Sequence, residues 1–149
     1  MTWRLVAAFE VPGRPVPKAR PRARIVGSHA RIYTPAATKS FEALVASCVP
    51  DSARKPGDLV RVDVVVYLPR PKQRPSYMPR WMWALAEPYH RAVGDVDNYA
   101  KAVLDGLGSW LGNDVSVVDL RAQKRVSLRP RTEVEVYTMT EAGSAQNGH

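Results

Sequence analysis

The alternation of hydrophobic and polar residues predicts four β-strands along the chain. In the clearest case, apolar residues recur at every second position from 60 to 68, with Arg61 and Asp63 between them. A period of two is typical of a half-buried strand, because successive side chains point to opposite faces. The first predicted strand ends at Pro12 and Gly13, which break strand pairing. The four predicted strands cover 5–13, 59–69, 116–128 and 132–139, the last two joined as a hairpin around Arg129–Arg131.

Two further segments have the hydrophobic spacing of amphipathic helices. In the first, we interpret Thr34 as the N-cap and Pro35 as the first helical residue, a common arrangement at helix starts. The second spans 95–111, and we expect Gly106 and Gly108 to fray its end. In both segments apolar residues recur three and four positions apart, which places them on one helical face. The two stripes are Phe41, Leu44, Val45 and Cys48, and Ala100, Val103, Leu104 and Leu107.

The predicted elements follow the order βαβαββ. This order indicates a small single α+β domain, with a mixed four-stranded sheet packed by two main helices. We expect the domain to cover 5–138 and the polar segment 139–149 to form a disordered tail. Residues 69–94 form a long connection without clear periodicity, which is either functional or disordered. Because the chain has neither an apolar run of spanning length nor an apolar leader, we expect a soluble, cytoplasmic protein without membrane contact.

The residue types of zinc sites and thiol chemistry give no functional signal. Cys48 is the single cysteine, and its apolar neighbours favour a small buried side chain over a nucleophile. The histidines at positions 29, 90 and 149 are scattered without metal-ligand spacing. A zinc site is therefore not expected.

Positive charge is concentrated near the N-terminus. The chain carries a formal net charge of +8, which indicates an anionic partner. Residues 1–40 hold eight basic side chains against one acid, Glu10. In the basic segment, residues 18–24, an extended backbone would project the cations to one side, where they can follow a phosphate backbone. A solvated basic loop is the alternative. The cations of the basic segment are Lys18, Arg20, Arg22 and Arg24.

Acidic residues gather at the start of the second predicted helix. Asp95 and Asp97 are two positions apart, so in an extended segment their carboxylates would project to the same side and could converge on one hard cation. Lys101 and Asp105 follow at intervals of four on the same helical face. Asp114 lies in the turn before the next strand, and packing of that strand on the helix could return it to the helix start. Taken alone, this spacing favours an Asp97 N-cap and surface ion pairs over a site.

Two adjoining motifs resemble the signature of the RusA family of Holliday junction resolvases. The segment 95–107, DVDNYAKAVLDGL, matches the form D-x-D-N-x-x-K-x-x-x-D-x-L. The segment 113–124, NDVSVVDLRAQK, matches an acidic turn followed by a valine-rich strand and a lysine. VPGRPVPKARPR and YTPAAT are also similar to the opening of family members, so the resemblance spans about 5–138. Two residues depart from the pattern. Asn113 occupies a position where family members usually have an aspartate, and Gly94 occupies the position before the first aspartate, where family members often have a proline.

The resemblance implies a small α+β fold, a homodimer and a magnesium-dependent endonuclease, with Mn²⁺ as a possible substitute, that resolves four-way junctions or related branched DNA. It implies metal ligands at Asp95, Asp97 and Asp114. It implies an essential lysine at Lys101, which would neutralise developing charge or position the attacking water. We expect DNA contacts from the basic segment and from Lys124, and supporting contacts around the site from Asn98, Asp105 and Asn113.

Two other functions fit parts of this pattern. A non-catalytic nucleic-acid-binding module would use the acids only as helix caps, and its binding would depend steeply on salt without a magnesium-dependent product. A metal phosphohydrolase acting on nucleotides would use the acids but leave the basic segment without a role. Trp81 and Trp83 in the long connection either stack on unpaired bases or pack on the domain or a partner subunit.

Overall fold

The computed structural model describes residues 1–19, 22–33, 35–92 and 94–141. Beyond the predicted elements it contains a short β-hairpin, a one-turn helix and a 3₁₀ turn. In chain order the elements are β1 (Thr2–Pro12), β2 (Arg22–Val26), β3 (His29–Tyr33), α1 (Ala36–Cys48), β4 (Val60–Pro69), α2 (Arg80–Trp83), α3 (Val96–Leu111), the 3₁₀ turn (Asp114–Ser116), β5 (Val117–Ser127) and β6 (Arg131–Thr140).

The four long strands form one mixed sheet in the order β1-β6-β4-β5. β6 is antiparallel to both of its neighbours, whereas β5 runs parallel to β4. The predicted α+β class and the mixed four-stranded sheet with two main helices are therefore confirmed. The core lies between the sheet and the helices α1 and α3, and it includes the alternate residues from Val60 to Leu68 that the hydrophobic pattern identified.

The last two strands do not form the predicted hairpin, because β4 lies between them. Residues 128–130 cross the end of β4 instead, where the Arg70 amide donates to the Ser127 carbonyl at 3.1 Å. A short link between β5 and β6 favours their direct pairing, but the heavily buried β4 lies between them. Hydrophobic alternation identifies a strand without identifying its neighbours in the sheet.

A close contact between α1 and α3 corrects the interpretation of Gly106. A Cβ atom at this position would lie 2.7 Å from Cβ of Val45 and 2.9 Å from the Glu42 carbonyl oxygen. The glycine therefore allows the two helices to approach, and it does not fray α3. The helix continues to Leu111 and ends before Gly112, which has a φ of 81°.

The N-terminal half differs from the prediction at two places. α1 begins at Ala36 with Pro35 in the N-cap position, and the predicted cap, Thr34, lies outside the described residues. The segment 22–33 is a hairpin whose strands meet at the two-residue turn Gly27–Ser28, where Gly27 has a φ of 65°. Such a turn favours glycine and is a recognisable hairpin signal. The arginines in β2 obscured that signal because they interrupt the apolar pattern.

The ends of the folded region lie slightly outside 5–138, since Thr2 of β1 pairs with Thr140 of β6. The first two residues of the expected tail thus belong to β6, and 142–149 lies outside the described residues. The long connection 69–94 contains α2 and the buried Met78. No helix in the described ranges has the length and apolar character needed to cross a membrane.

Candidate active site

The start of α3 presents two carboxylates that the helix itself does not use. Asp95 occupies the N-cap position but makes no side-chain capping hydrogen bond, and Asp97 lies in the first turn. The alternative of an Asp97 N-cap is therefore wrong. Both side chains are exposed, and in the described part of the chain neither carboxylate accepts a hydrogen bond or forms an ion pair. Their oxygens are available to a cation.

These carboxylates line an open cleft between α3 and β5. The wall opposite Asp95 and Asp97 is formed by Ala122–Lys124 of β5, and Tyr89 closes one side. The Tyr89 ring is half exposed and lies under the Arg125 guanidinium, 4.0 Å from the ring centroid. Sequence analysis missed Tyr89 and Gln123 as cleft residues, because no motif links a loop aromatic or a mid-strand amide to this site.

The ammonium group of Lys124 connects the two sides of the cleft. Its Nζ donates to the carbonyl oxygens of Ala92 and Gly94, each at 2.7 Å. These bonds connect β5 to the segment that leads directly into Asp95. Lys124 was expected to contact DNA, and the structure instead places its ammonium on the backbone that carries the first carboxylate.

Gly94 has a structural reason to replace the proline of the family pattern. Its φ of 96° is a left-handed conformation that proline cannot adopt. A Cβ at this position would also lie 2.8 Å from the ring of Tyr99, which is buried. The approach to Asp95 is therefore fixed by a glycine turn packed on Tyr99 and by Lys124.

A small ion-pair cluster lies farther along α3. Asp105 contacts Lys101 at 3.3 Å and Lys18 at 2.9 Å, and Lys18 also contacts Glu42 at 2.7 Å. The hydrogen bonds that Lys18 donates to Glu42 and Asp105 raise its pKa. Lys18 thus links the N-terminal segment to α1 and α3, whereas the sequence predicted that it projects with the other cations of the basic segment toward a phosphate backbone. Asp105 is thus a direct partner of Lys101.

The other cations of the basic segment are Arg20, Arg22 and Arg24. Arg20 lies outside the described residues, and the side chains of Arg22 and Arg24 are outside the described part as well. The backbone of residues 22–26 is a strand, so the expected extended conformation is present there. Their predicted contact with DNA stays a prediction.

Asp114 does not join Asp95 and Asp97 within this chain. It follows the end of α3, a helix of 16 residues, and such a helix is about 24 Å long. β5 runs back along α3, so the residues that return to the helix start are Ala122–Lys124 and not Asp114. Among the described residues, no group of three or more His, Cys, Asp or Glu side chains could hold a metal ion.

The remaining predicted residues have local roles. The Asn113 side chain accepts a hydrogen bond from the Val115 amide at 3.0 Å and so caps the 3₁₀ turn. The Asn98 carbonyl accepts from the Lys18 amide at 2.9 Å. Trp83 packs against the core beneath the Arg70 guanidinium, 3.8 Å from its ring, whereas Trp81 is 68% exposed. The two tryptophans therefore differ, and only Trp81 is available for stacking.

Comparison with known proteins finds one matching family and one similar protein. The family model described as Endodeoxyribonuclease RusA matches residues 12–137. The chain is also similar to the uncharacterized protein YqaN of Bacillus subtilis (strain 168). The two are 36% identical over 136 residues, which is 86% of this chain and 93% of the relative.

Proposed function

The chain belongs to the RusA family of endodeoxyribonucleases, and from this premise we propose a magnesium-dependent endonuclease that resolves Holliday junctions or related branched DNA by paired incisions. The observation that carries the proposal is the pair of carboxylates at the start of α3. Asp95 and Asp97 are exposed and without partners in the described chain, in an open cleft whose entry segment is fixed by Lys124.

The donor set fits magnesium. In proteins this ion commonly takes one or two carboxylates and keeps several waters, and it accepts oxygens from substrate phosphates. Asp95 and Asp97 would hold the ion, or Mn²⁺ in its place. When bound, it polarises a phosphoryl oxygen and makes a coordinated water more acidic. Carboxylates already neutralised by internal ion pairs would be poorer ligands, so their lack of partners supports this assignment.

Lys101 is suited to act on the phosphate. It lies one helical turn after Asp97, and its side chain is 53% exposed while it contacts Asp105 at 3.3 Å. An exposed ammonium held by one carboxylate can reorient toward a phosphate oxygen and neutralise charge that develops during hydrolysis. Asp105 would position Lys101 before substrate binds.

A homodimer would explain why Asp114 lies at the far end of α3. β5 is an edge strand, and the connection 88–90 covers it only near residues 124–126, through bonds such as that from the Val126 amide to the Pro88 carbonyl at 3.1 Å. The uncovered part carries the exposed side chains of Val118 and Leu120. Antiparallel pairing of two copies around Leu120 would bring Asp114 of the partner subunit toward the cleft. A two-fold dimer also suits a four-way junction, which needs two paired incisions.

The decisive experiment incubates the purified chain with labelled four-way, forked and linear DNA, with and without magnesium. We expect symmetric cutting of the junction that requires magnesium. Asp97→Asn should lower cleavage at least about 100-fold, since even the outer contacts of metal sites are worth 10–100-fold, while junction binding in EDTA is retained.

Asp58→Asn is the matched control, because Asp58 is an exposed aspartate in the loop before β4. Cutting by the Asp97→Asn variant at the rate of this control would refute the metal assignment. Binding of all three substrates without any product would favour the non-catalytic module, and release of phosphate from nucleotides alone would favour the phosphohydrolase.

A further inference from the structure

A basic groove lies beside the cleft, between the end of β4 and the segment that leads into Asp95. Its walls carry Arg14, Lys72 and Arg91, and its floor includes Leu68 and His90. Among the described residues, no acidic side chain lines it. The groove is separate from the basic segment 18–24.

The cations of the basic groove have no carboxylate partner inside the described structure. Arg14, Lys72 and Arg91 are all exposed, and none forms an ion pair with a carboxylate in the described ranges. Arg91 rests only on the Tyr77 ring, with 5.3 Å between its guanidinium carbon and the ring centroid. Arg70, by contrast, is fully engaged, since it stacks on Trp83 and donates to the Leu85 carbonyl at 2.8 Å. The first three charges are therefore available to an external anion.

The basic groove and the carboxylate cleft share a wall. Ala92 lines the groove, and its carbonyl accepts the hydrogen bond at 2.7 Å from Lys124, which lines the cleft. Arg91 precedes Asp95 by four residues, so their Cα atoms are at most about 14 Å apart. Phosphates along one DNA strand are spaced by about 3.4 Å of helix rise. A strand cut at the cleft would therefore present phosphates to the groove within roughly four nucleotides.

We propose that the basic groove binds the phosphate backbone of the strand being cut and so determines where that strand crosses Asp95 and Asp97. This inference rests on the proposed function for the identity of the cleft. A polyanionic strand suits the groove because three cations line it and no carboxylate of the described residues does. Binding is through charge, so the groove positions the strand without reading its bases.

The first test measures junction binding in EDTA as a function of salt concentration. Lys72→Ala/Arg91→Ala should lower the slope of log affinity against log salt by about 0.9 for each lost phosphate contact, or about 1.8 in total. Lys72→Arg/Arg91→Lys keeps both charges and should restore the wild-type slope. The matched control is Arg4→Ala/Arg54→Ala, which removes two positive charges near the opposite end of β4. A slope equal to that of the control would overturn the proposal.

A second test locates the contact. Neutral methylphosphonates are placed one at a time around the cut site, and binding to each junction is measured for both proteins. The wild-type chain should lose affinity for substitutions within about four nucleotides of the cut, and the Lys72→Ala/Arg91→Ala variant should be insensitive to the same substitutions. Equal sensitivity of the two proteins would overturn the proposal.

The two proposals fail in distinguishable ways, because groove binding is measured without metal. A wild-type chain that never cuts, but whose salt slope falls in the groove variant, would overturn the endonuclease and retain the groove as a DNA-binding surface. If the wild-type chain cuts normally and the salt slope of the groove variant is unchanged, the endonuclease is retained and the groove is overturned as a DNA-binding surface.

Discussion

Two charged regions of this molecule differ in whether their charged side chains have ion-pair partners. At the start of α3, Asp95 and Asp97 have no partner in the described chain. In a second region, every charged side chain has an ion-pair partner. We call it the Arg131 cluster, and it comprises Arg131, Glu10, Glu87, Arg129 and Glu133. The Arg131 guanidinium contacts Glu87 at 2.7 Å and Glu133 at 2.9 Å. Arg131 also lies over the Tyr67 ring at 3.8 Å, and its side chain is only 7% exposed.

The difference separates charges that maintain the fold from charges that are available for chemistry. The Arg131 cluster fixes Glu87 of the long connection against β6, and the hydrogen bond to Glu87 raises the pKa of Arg131. Burial without these partners would be costly, so the cluster cannot release a charge to a substrate. The cleft carboxylates form no such ion pairs in the described chain. Their only fixed feature is the backbone that leads into Asp95, which Lys124 holds.

The largest effect should come from breaking the buried cluster. Arg131→Met leaves Glu87 and Glu133 without their main partner. Breaking a buried pair costs about 3–5 kcal/mol, and we expect a loss of about 3 kcal/mol in the free energy of unfolding, because Glu87 and Glu133 remain 32% and 35% exposed. Urea denaturation measures this loss. If Arg131→Met costs no more than the exposed Arg54→Met, the cluster is not a stabilising element.

A substitution in the cleft should change metal binding and not the stability of the fold. Lys124→Met removes both hydrogen bonds to the segment before Asp95 but touches neither carboxylate. Loss of contacts that orient metal ligands typically costs 10–100-fold in metal affinity, and we expect a fall in this range for Mn²⁺ binding, measured by calorimetry. Lys39→Met removes the same charge from an exposed position on α1 and should leave the affinity unchanged. Unchanged Mn²⁺ affinity in Lys124→Met would show that the segment is held by other contacts.

Local chemistry was predictable from the sequence, and long-range placement was not. The carboxylate pair before a helix, the alternation from Val60 to Leu68 and the two four-residue intervals from Asp97 to Asp105 all depend on neighbours within a few residues. The position of β4 between β5 and β6 depends on which strand the core buries most, and a hydrophobic pattern along one segment does not contain that information.

The placement of Asp114 and Lys18 illustrates the same limit. A spacing of nineteen residues from Asp95 was compatible with a common site, but the direction of β5 along α3 returns Lys124 to the helix start in place of Asp114. Lys18 was expected to face DNA because its neighbours in the chain are basic. It pairs with Glu42 of α1 and Asp105 of α3, because the N-terminal segment lies against both helices, a contact that only the tertiary structure reveals.

The smallest effect concerns pH and follows from the Arg131 cluster. The hydrogen bond from Arg131 lowers the pKa of Glu87 below its ordinary value of 4.5. A carboxylate with a lowered pKa in the folded state stabilises the fold above its ordinary pKa, and this contribution is lost as the pH falls through the lowered value. Glu87→Gln should therefore be less stable than the wild type at pH 7, by less than about 1 kcal/mol because the group is partly exposed. The difference should shrink below pH 4.5 in thermal unfolding measured across pH. A difference that stays constant down to pH 3 would mean that Glu87 contributes through packing and not through its charge, and the contrast between paired and free carboxylates would then not rest on electrostatics.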